Sequence, residues 1–182
     1  LKQELRKEIR SRKRQFTEAQ LAEMSHRIMS SLLSHRRVKA AETILMYCSL
    51  PDEVATHEVL DTLVAMGKKV LLPVVTGETT MQLCIYRDST DLETGAYNIL
   101  EPTGEPFDSL REIDVAVVPG MAFDADCNRM GRGKGYYDRF LAQVPADKYK
   151  IGVCFPFQML PEVPSEATDV LMDEVVSGGN MG

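Results

Sequence analysis

The stretch IDVAVVPGMAF, residues 113–123, is nearly all apolar, rich in β-branched side chains, and shows no polar alternation. A strand with one face in water alternates, so a run apolar on both faces predicts a central strand covered by helices on both sides. It leads directly into DADCNRMGRGKGYYDRFL (124–141), a glycine-rich cationic loop followed by helical spacing. Over Gly135–Val144 the apolar residues Tyr137, Phe140, Leu141 and Val144 fall on one helix face.

Upstream, TILMYCSL (43–50) is a short apolar run ending at Pro51. It is followed by a helical pattern over Thr56–Met66, by Gly67, and by KKVLLPVV (68–75), which together predict strand, helix, strand. MQLCIYR (81–87) predicts a further strand, GAYNILEPTGEPFD (95–108) reads as turn-rich, and KIGVCF (150–155) and DVLMDEVVS (169–177) predict two late strands. At the start of the chain, Lys2 to about Arg14 predicts an amphipathic helix with Leu5 and Ile9 on one side and Lys2, Arg6, Arg10 and Arg14 as a cationic stripe. Thr17 is the expected N-cap of a second helix running to about Arg37, with Leu21, Met24, Ile28, Leu32 and Leu33 on its apolar side.

Strands alternating with helices imply an α/β fold with a mostly parallel central sheet flanked by helices, the two N-terminal helices packed on it. At 182 residues and 44% hydrophobic content, with no repeat or linker, residues 1–182 are expected to form one domain, with 1–39 a basic helical segment and 178–182 a frayed tail. The chain opens on Leu1 rather than Met, and natural residues before it are expected.

Leu1–Lys39 holds eleven of the 21 Lys and Arg but four of the 27 Asp and Glu, so the basicity is local in a chain of net charge -6. A pI near 5.2 provides no global field to gather nucleic acid, although the basic helix leaves an RNA-binding reading open. The longest apolar runs fall short of the ~18 residues of a membrane span, the start is charged rather than greasy, and no membrane association is expected. Cys48, Cys84, Cys127 and Cys154 form no CxxC pair and are expected as reduced thiols in a cytoplasm. His26, His35 and His57 lie far from the loop in sequence and are expected at the surface.

In open α/β sheets ligands sit beyond the carboxyl ends of strands, where the loop after 113–123 is expected. Gly131, Gly133 and Gly135 let backbone N–H groups approach an anion, the helix that follows offers its positive end, and Arg129, Arg132 and Lys134 add full charges. Phosphate is the natural guest. The loop is not GxxxxGK[ST], because Gly135 follows Lys134, nor GxGxxG, because Tyr136 stands where the third glycine would be. On a helix starting near Lys134, Asp138 lies one turn on and can bind a cation that also touches phosphate, while Tyr136 can stack on a planar ligand and Tyr137 packs inward. Competing readings stay open: a solvated turn for the loop, a surface pair with Lys134 for Asp138, a helix-start carboxylate for Glu53, and a buried strand residue for Cys48.

PGMAFDADCNRMGRGKGYYDRFL (119–141) resembles the signature of the 5-formyltetrahydrofolate cyclo-ligase family, and the likeness extends along the chain. The resemblance implies an ATP- and Mg²⁺-dependent enzyme that converts 5-formyltetrahydrofolate, free or polyglutamylated, to 5,10-methenyltetrahydrofolate with release of ADP and phosphate. A monomer with no nucleic-acid partner is expected. By resemblance, Lys2, Arg6 and the loop Arg129, Met130, Gly131, Arg132, Gly133, Lys134, Gly135, Tyr136 and Tyr137 hold ATP. Cys48 and Glu53, with Arg132, Gly133, Lys134, Gly135 and Tyr136, border the folate; Asp138 and Asp169 hold magnesium, with Asp173 an alternative to Asp169. Lys134 and Arg132 are the expected catalytic cations. Two positions depart from the family pattern: Cys127 stands where the family usually has Gly, and Met130 where it has Leu. A non-catalytic nucleotide sensor is the alternative.

Overall fold

Of the run 113–123 the main sheet takes β7, Val115–Pro119, an interior strand buried along its whole length. The structure, a computed structural model, describes residues 1–78, 80–95, 100–133 and 135–178. On one side β7 pairs in parallel with β1 (Thr43–Leu45), Ile44 opposite Val115. On the other it pairs with β10 (Tyr149–Val153), Val117 opposite Ile151. Parallel neighbours β2 (Lys69–Val75) and β11 (Glu174–Val176) flank these, and β3 (Met81–Tyr86) and β6 (Pro106–Phe107) add an antiparallel edge, giving the order β11-β10-β7-β1-β2-β3-β6.

The two-sided burial has the expected cause. Along β1 and β7 successive side chains enter opposite cores: Ile44, Val115 and Val117 belong to one, Leu45, Ala116 and Val118 to the other. The first core is closed by α2 (Glu18–Ser34), α3 (Arg36–Ala40) and α4 (His57–Ala65), which contribute Ile28 and Leu32, Val38, and Leu60 and Leu63. The second is closed by α5 (Tyr136–Leu141) through Phe140 and Leu141. No described helix is long and apolar enough to cross a membrane, and the four cysteines are free thiols.

Several boundaries differ from the sequence reading. The second helix does not reach Arg37. His35 turns extended (ψ 131°) and its Nδ1 accepts the Arg37 N–H at 3.0 Å, ending α2 and capping α3. The Thr17 cap is present as a full capping box, Thr17 N–H to Gln20 Oε1 at 2.8 Å and Gln20 N–H to Thr17 Oγ1 at 3.1 Å. His35 is half-buried, not a surface residue, because its Nε2 meets Glu174 at 2.7 Å; His26 and His57 are exposed. Only Thr43–Leu45 of the run 43–50 pairs in the sheet, and only Glu174–Val176 of 169–177. The helix after the loop starts at Tyr136, not Lys134, and ends at Leu141. The segment 95–108 contains strand as well as turn: β5 (Leu100–Pro102) pairs with β4 (Leu92–Thr94), and β6 joins the main sheet. Of the expected frayed tail, 179–182 lies outside the described residues.

The first helix, α1 (Lys2–Lys13), packs on a small hairpin of β8 (Ala122–Phe123) with β9 (Arg129–Met130), not on the sheet. Ile9 is buried there with Met121, Ala122, Met130 and Leu160. The turn of this hairpin places Cys127 at φ +66°, the left-handed region that glycine enters without cost. The Cys side chain is half-buried among the second core's residues, which offsets part of that strain. Cys127→Gly is therefore expected to leave stability unchanged or raise it by up to about 1 kcal/mol, and Cys127→Val to lower it by about 1–2 kcal/mol. Urea unfolding of the two variants against the parent checks this.

Candidate active site

β1 and β7 lie side by side and parallel, but the chain leaves them toward opposite sides of the sheet, β1 to β2 and β7 to β10. Such a switch point opens a crevice beyond the carboxyl ends of the two strands. A cleft of about 1270 Å³ occupies that position, with Tyr47 and Cys48 after β1 and Pro119 and Gly120 at the end of β7 on its walls.

The β1 side is a rigid loop. Ser49 and Thr56 exchange bonds, Ser49 N–H to Thr56 Oγ1 at 3.1 Å and Thr56 N–H to Ser49 Oγ at 3.0 Å, and the Thr56 hydroxyl donates to Tyr47 O at 2.7 Å. The Tyr47 hydroxyl donates to Val54 O at 2.9 Å. Thr56 precedes α4 but makes no side-chain cap bond, since its hydroxyl is used on this loop. The result fixes Glu53, whose Oε1 accepts the Leu50 N–H at 2.9 Å and whose Oε2 lies 3.7 Å from Arg132. Burial pushes the Glu53 carboxyl up, with the Leu50 N–H and Arg132 pulling the other way. Burial and the nearby Glu53 push the Cys48 thiol up as well, so Cys48 lines the wall as a thiol rather than a thiolate nucleophile.

The β7 side is organised by Asp124, 2% exposed, whose carboxylate accepts N–H groups of Asp126, Asn128 and Val163 at 2.8–3.0 Å and the Asn128 side-chain amide. Burial pushes this carboxyl up, but these bonds outweigh it and hold it below its ordinary value. Arg129, also buried, donates from Nε to Pro119 O at 2.7 Å, lies over the Tyr137 ring at 5.0 Å and comes within 3.9 Å of Asp138. Its guanidinium ties the strand end to α5. Gly133 (φ +107°) and Gly135 (φ +73°) then take the chain through backbone that other residues rarely adopt.

α1 crosses this loop. Arg6 donates to Gly131 O at 2.8 Å, Lys2 Nζ meets Glu166 at 3.2 Å and Asp169 at 4.0 Å, and Arg12 bonds Phe157 O at 3.0 Å. Asp52 lies between helix and loop, its carboxylate 2.5 Å from Arg132 and 3.9 Å from Lys13. Asp138 accepts the N–H of Val170 at 3.4 Å, which sets it beside Asp169 on one rim.

The cleft thus gathers most of the residues singled out from the sequence. Lys2, Arg6, Cys48 and Glu53 line it, as do Arg129, Gly131, Arg132, Gly133 and Gly135, and Tyr136, Tyr137, Asp138 and Asp169. Lys134 lies outside the described residues. Met130 does not line the cleft; it is 1% exposed, packed under α1, so its side chain is core. Asp173 is excluded as a substitute for Asp169. Its carboxylate accepts the Lys150 N–H at 2.8 Å near the start of β10, at the amino ends of the parallel strands, away from the cleft. Sequence reasoning missed Asp52, Asp124, Glu166 and an apolar wall of Val74, Val75, Met81, Leu100 and Pro102. Only DADCN, a turn-forming run with two carboxylates, carried a local signal for any of these.

The sequence profile of the 5-formyltetrahydrofolate cyclo-ligase family matches residues 1–178. The chain belongs to the 5-formyltetrahydrofolate cyclo-ligase family. Among cyclo-ligases, that of Escherichia coli K12 is 29% identical over 174 residues, covering 93% of this chain and 96% of its own. The probable cyclo-ligase of Schizosaccharomyces pombe is 30% identical over 155 residues, 76% of each chain. The NMR structure of Aquifex aeolicus 5,10-methenyltetrahydrofolate synthetase superposes with a TM-score of 0.84 at 33% identity, covering 99% of this chain and 91% of that one. Membership in the cyclo-ligase family makes the protein a ligase, and the cleft at the switch point is its candidate active site.

Asp124 contributes stability that is fully present above the ordinary carboxylate value of about 3.8 and is lost as pH falls through its lowered value. Asp124→Asn is expected to lose about 2 kcal/mol at pH 7 and to show a flatter stability profile between pH 5 and about 2 than the parent. Denaturant unfolding across that range measures both.

Proposed function

We propose that the protein cyclises 5-formyltetrahydrofolate to 5,10-methenyltetrahydrofolate while converting ATP to ADP and phosphate. The observation that carries this reading is the double character of a single cleft. One group of lining residues is cationic, Lys2, Arg6, Arg132 and the glycine loop; the other is Glu53 with the apolar Val74, Met81 and Leu100, and the two groups meet where Arg132 comes within 3.7 Å of Glu53. A triphosphate suits the first and a planar heterocycle with N–H groups the second. The volume exceeds that of an ordinary single-ligand pocket and leaves room for both.

A formyl oxygen is a poor leaving group until it is phosphorylated. In the proposed sequence the formyl oxygen forms a bond to the γ-phosphorus as the bond from that phosphorus to the ADP oxygen breaks. N10 then bonds to the formyl carbon, phosphate departs carrying the former formyl oxygen, and the N10 proton is released. The protein's part is alignment and charge neutralisation rather than covalent catalysis. Arg132 and Lys134 meet charge on the transferring phosphoryl group, Lys2 and Arg6 close over the triphosphate from α1, Glu53 accepts pterin N–H groups, and Tyr136 carries the ring.

The family also implies Mg²⁺. Asp138 and Asp169 fit a hard cation, being carboxylates on one rim of the cleft; Lys2, 4.0 Å from Asp169, and Arg129, 3.9 Å from Asp138, would share these carboxylates with it. Among the described residues no group of three or more metal-ligating side chains forms, so the cation would complete its shell with phosphate oxygens and water, as magnesium usually does. When bound, it would neutralise phosphate charge.

Purified protein with 5-formyltetrahydrofolate and Mg²⁺ is expected to develop methenyl-folate absorbance only when ATP is added; no rise with ATP present overturns the reading. Lys134→Met is expected to lower turnover by about 10²-fold or more while shifting stability by less than about 1 kcal/mol, measured by that absorbance and by urea unfolding. Asp138→Asn is expected to raise the Mg²⁺ concentration needed for half-maximal rate, and a titration matching the parent's removes it from the metal shell.

A further inference from the structure

Asp52 has no assigned part in binding or chemistry, yet three parts of the site meet at its carboxylate. One oxygen lies 2.5 Å from the Arg132 guanidinium on the glycine loop, and the other lies 3.9 Å from Lys13 in the last turn of α1. Asp52 itself stands in the rigid loop after β1, next to Glu53. Arg132 has a second carboxylate within reach, Glu53 at 3.7 Å, and Glu53 is the more buried of the two, 13% exposed at the side chain against 30%.

We propose that Asp52 is a positioning residue that holds Arg132 beside the glycine loop and keeps its guanidinium from closing fully onto Glu53, from which it stands 3.7 Å away. The inference rests on the proposed ATP-dependent reaction. Arg132 follows Gly131 and precedes Gly133 at φ +107°, so its own backbone restrains it weakly and an external tether decides where the guanidinium points. One carboxylate contact leaves the remaining guanidinium donors for a ligand. Without the Asp52 charge, the nearest anion is Glu53, and the attraction there is stronger because the site is less solvated. Arg132 would then withdraw from the phosphates and cover the Glu53 oxygen that the folate needs. Asp52 acts through Arg132 on both the cationic lining and Glu53, although it does not line the cleft itself.

The test is calorimetric binding of ATP with Mg²⁺ and, separately, of 5-formyltetrahydrofolate, to the parent, Asp52→Asn, Arg132→Gln and the double variant. Asp52→Asn keeps the side chain's size, and its contacts are part-exposed, so folding is expected to survive. The expected result is a loss of about fivefold or more in ATP affinity and about threefold or more in folate affinity for Asp52→Asn. In the Arg132→Gln background the same change is expected to matter by less than twofold, because the residue through which it acts is gone. Parent-like binding of both ligands by Asp52→Asn overturns the inference. So does an equal loss in the Arg132→Gln background, which is what a merely structural Asp52 gives. A parent that fails to bind ATP at all overturns the proposed function itself, an outcome distinct from either.

Discussion

The parallel pairing of β1 with β7 is the constraint on which the rest depends. The two strands share a ladder, Ile44 opposite Val115 and Leu45 opposite Ala116, but their continuations part at Tyr47 and Pro119. Backbone that no longer pairs with its neighbour must find other partners. On the β1 side it finds Ser49 and Thr56; on the β7 side it finds Arg129, Asp124 and Gln158, whose side-chain amide bonds Gly120 O and Met121 O at 3.0 Å. The groups that close these loops are polar and directional, so both walls of the crevice hold fixed geometry where the chain leaves the main sheet. That satisfies the requirement of a site whose chemistry depends on alignment.

Charge is organised on the same plan. The protein is acidic overall, but the cations of α1 and the glycine loop converge on the cleft and are held by nearby groups: Arg6 by the Gly131 carbonyl, Lys2 by Glu166 and Asp169, Arg132 by Asp52. These contacts are partly exposed and individually worth about 1 kcal/mol or less to folding. Their value is orientation. α1 is secured independently, through Ile9 in a small apolar core and through Phe16 stacked on Phe157 at 5.1 Å, so its cations are presented from a helix that does not rely on them for attachment.

The sheet was legible because burial on both faces leaves a continuous apolar run, as in 115–119 and 151–153, and the helices because Thr17 and the spacing of Ile28 and Leu32 act locally. The glycines and cations of the loop marked it as a candidate anion site, and the resemblance to the family marked Glu53 and Asp169 as candidates, which no local pattern singles out. Residues whose roles arise only in three dimensions were not legible. Asp52 meets Arg132 across 80 positions, Asp124 meets Val163 across 39, and Val75 and Leu100 form part of a wall only because β2 and β5 end beside the cleft. β9 was read as loop and β8 as the end of the strand 113–123; the hairpin they form follows from the bonds of Asp124, not from β propensity. His35 is drawn inward by a partner at Glu174, 139 residues away.

The most direct measurement is the fate of the formyl oxygen. With ¹⁸O in the formyl group of 5-formyltetrahydrofolate, attack of that oxygen on the γ-phosphorus puts the label into inorganic phosphate, one ¹⁸O for each methenyl-folate formed, detectable by mass spectrometry or by the isotope shift in phosphorus NMR. Unlabelled phosphate, with the ¹⁸O released to water, would mean that the formyl oxygen leaves without being phosphorylated. The proposed pairing of a triphosphate with the folate in one cleft would then have no chemical purpose.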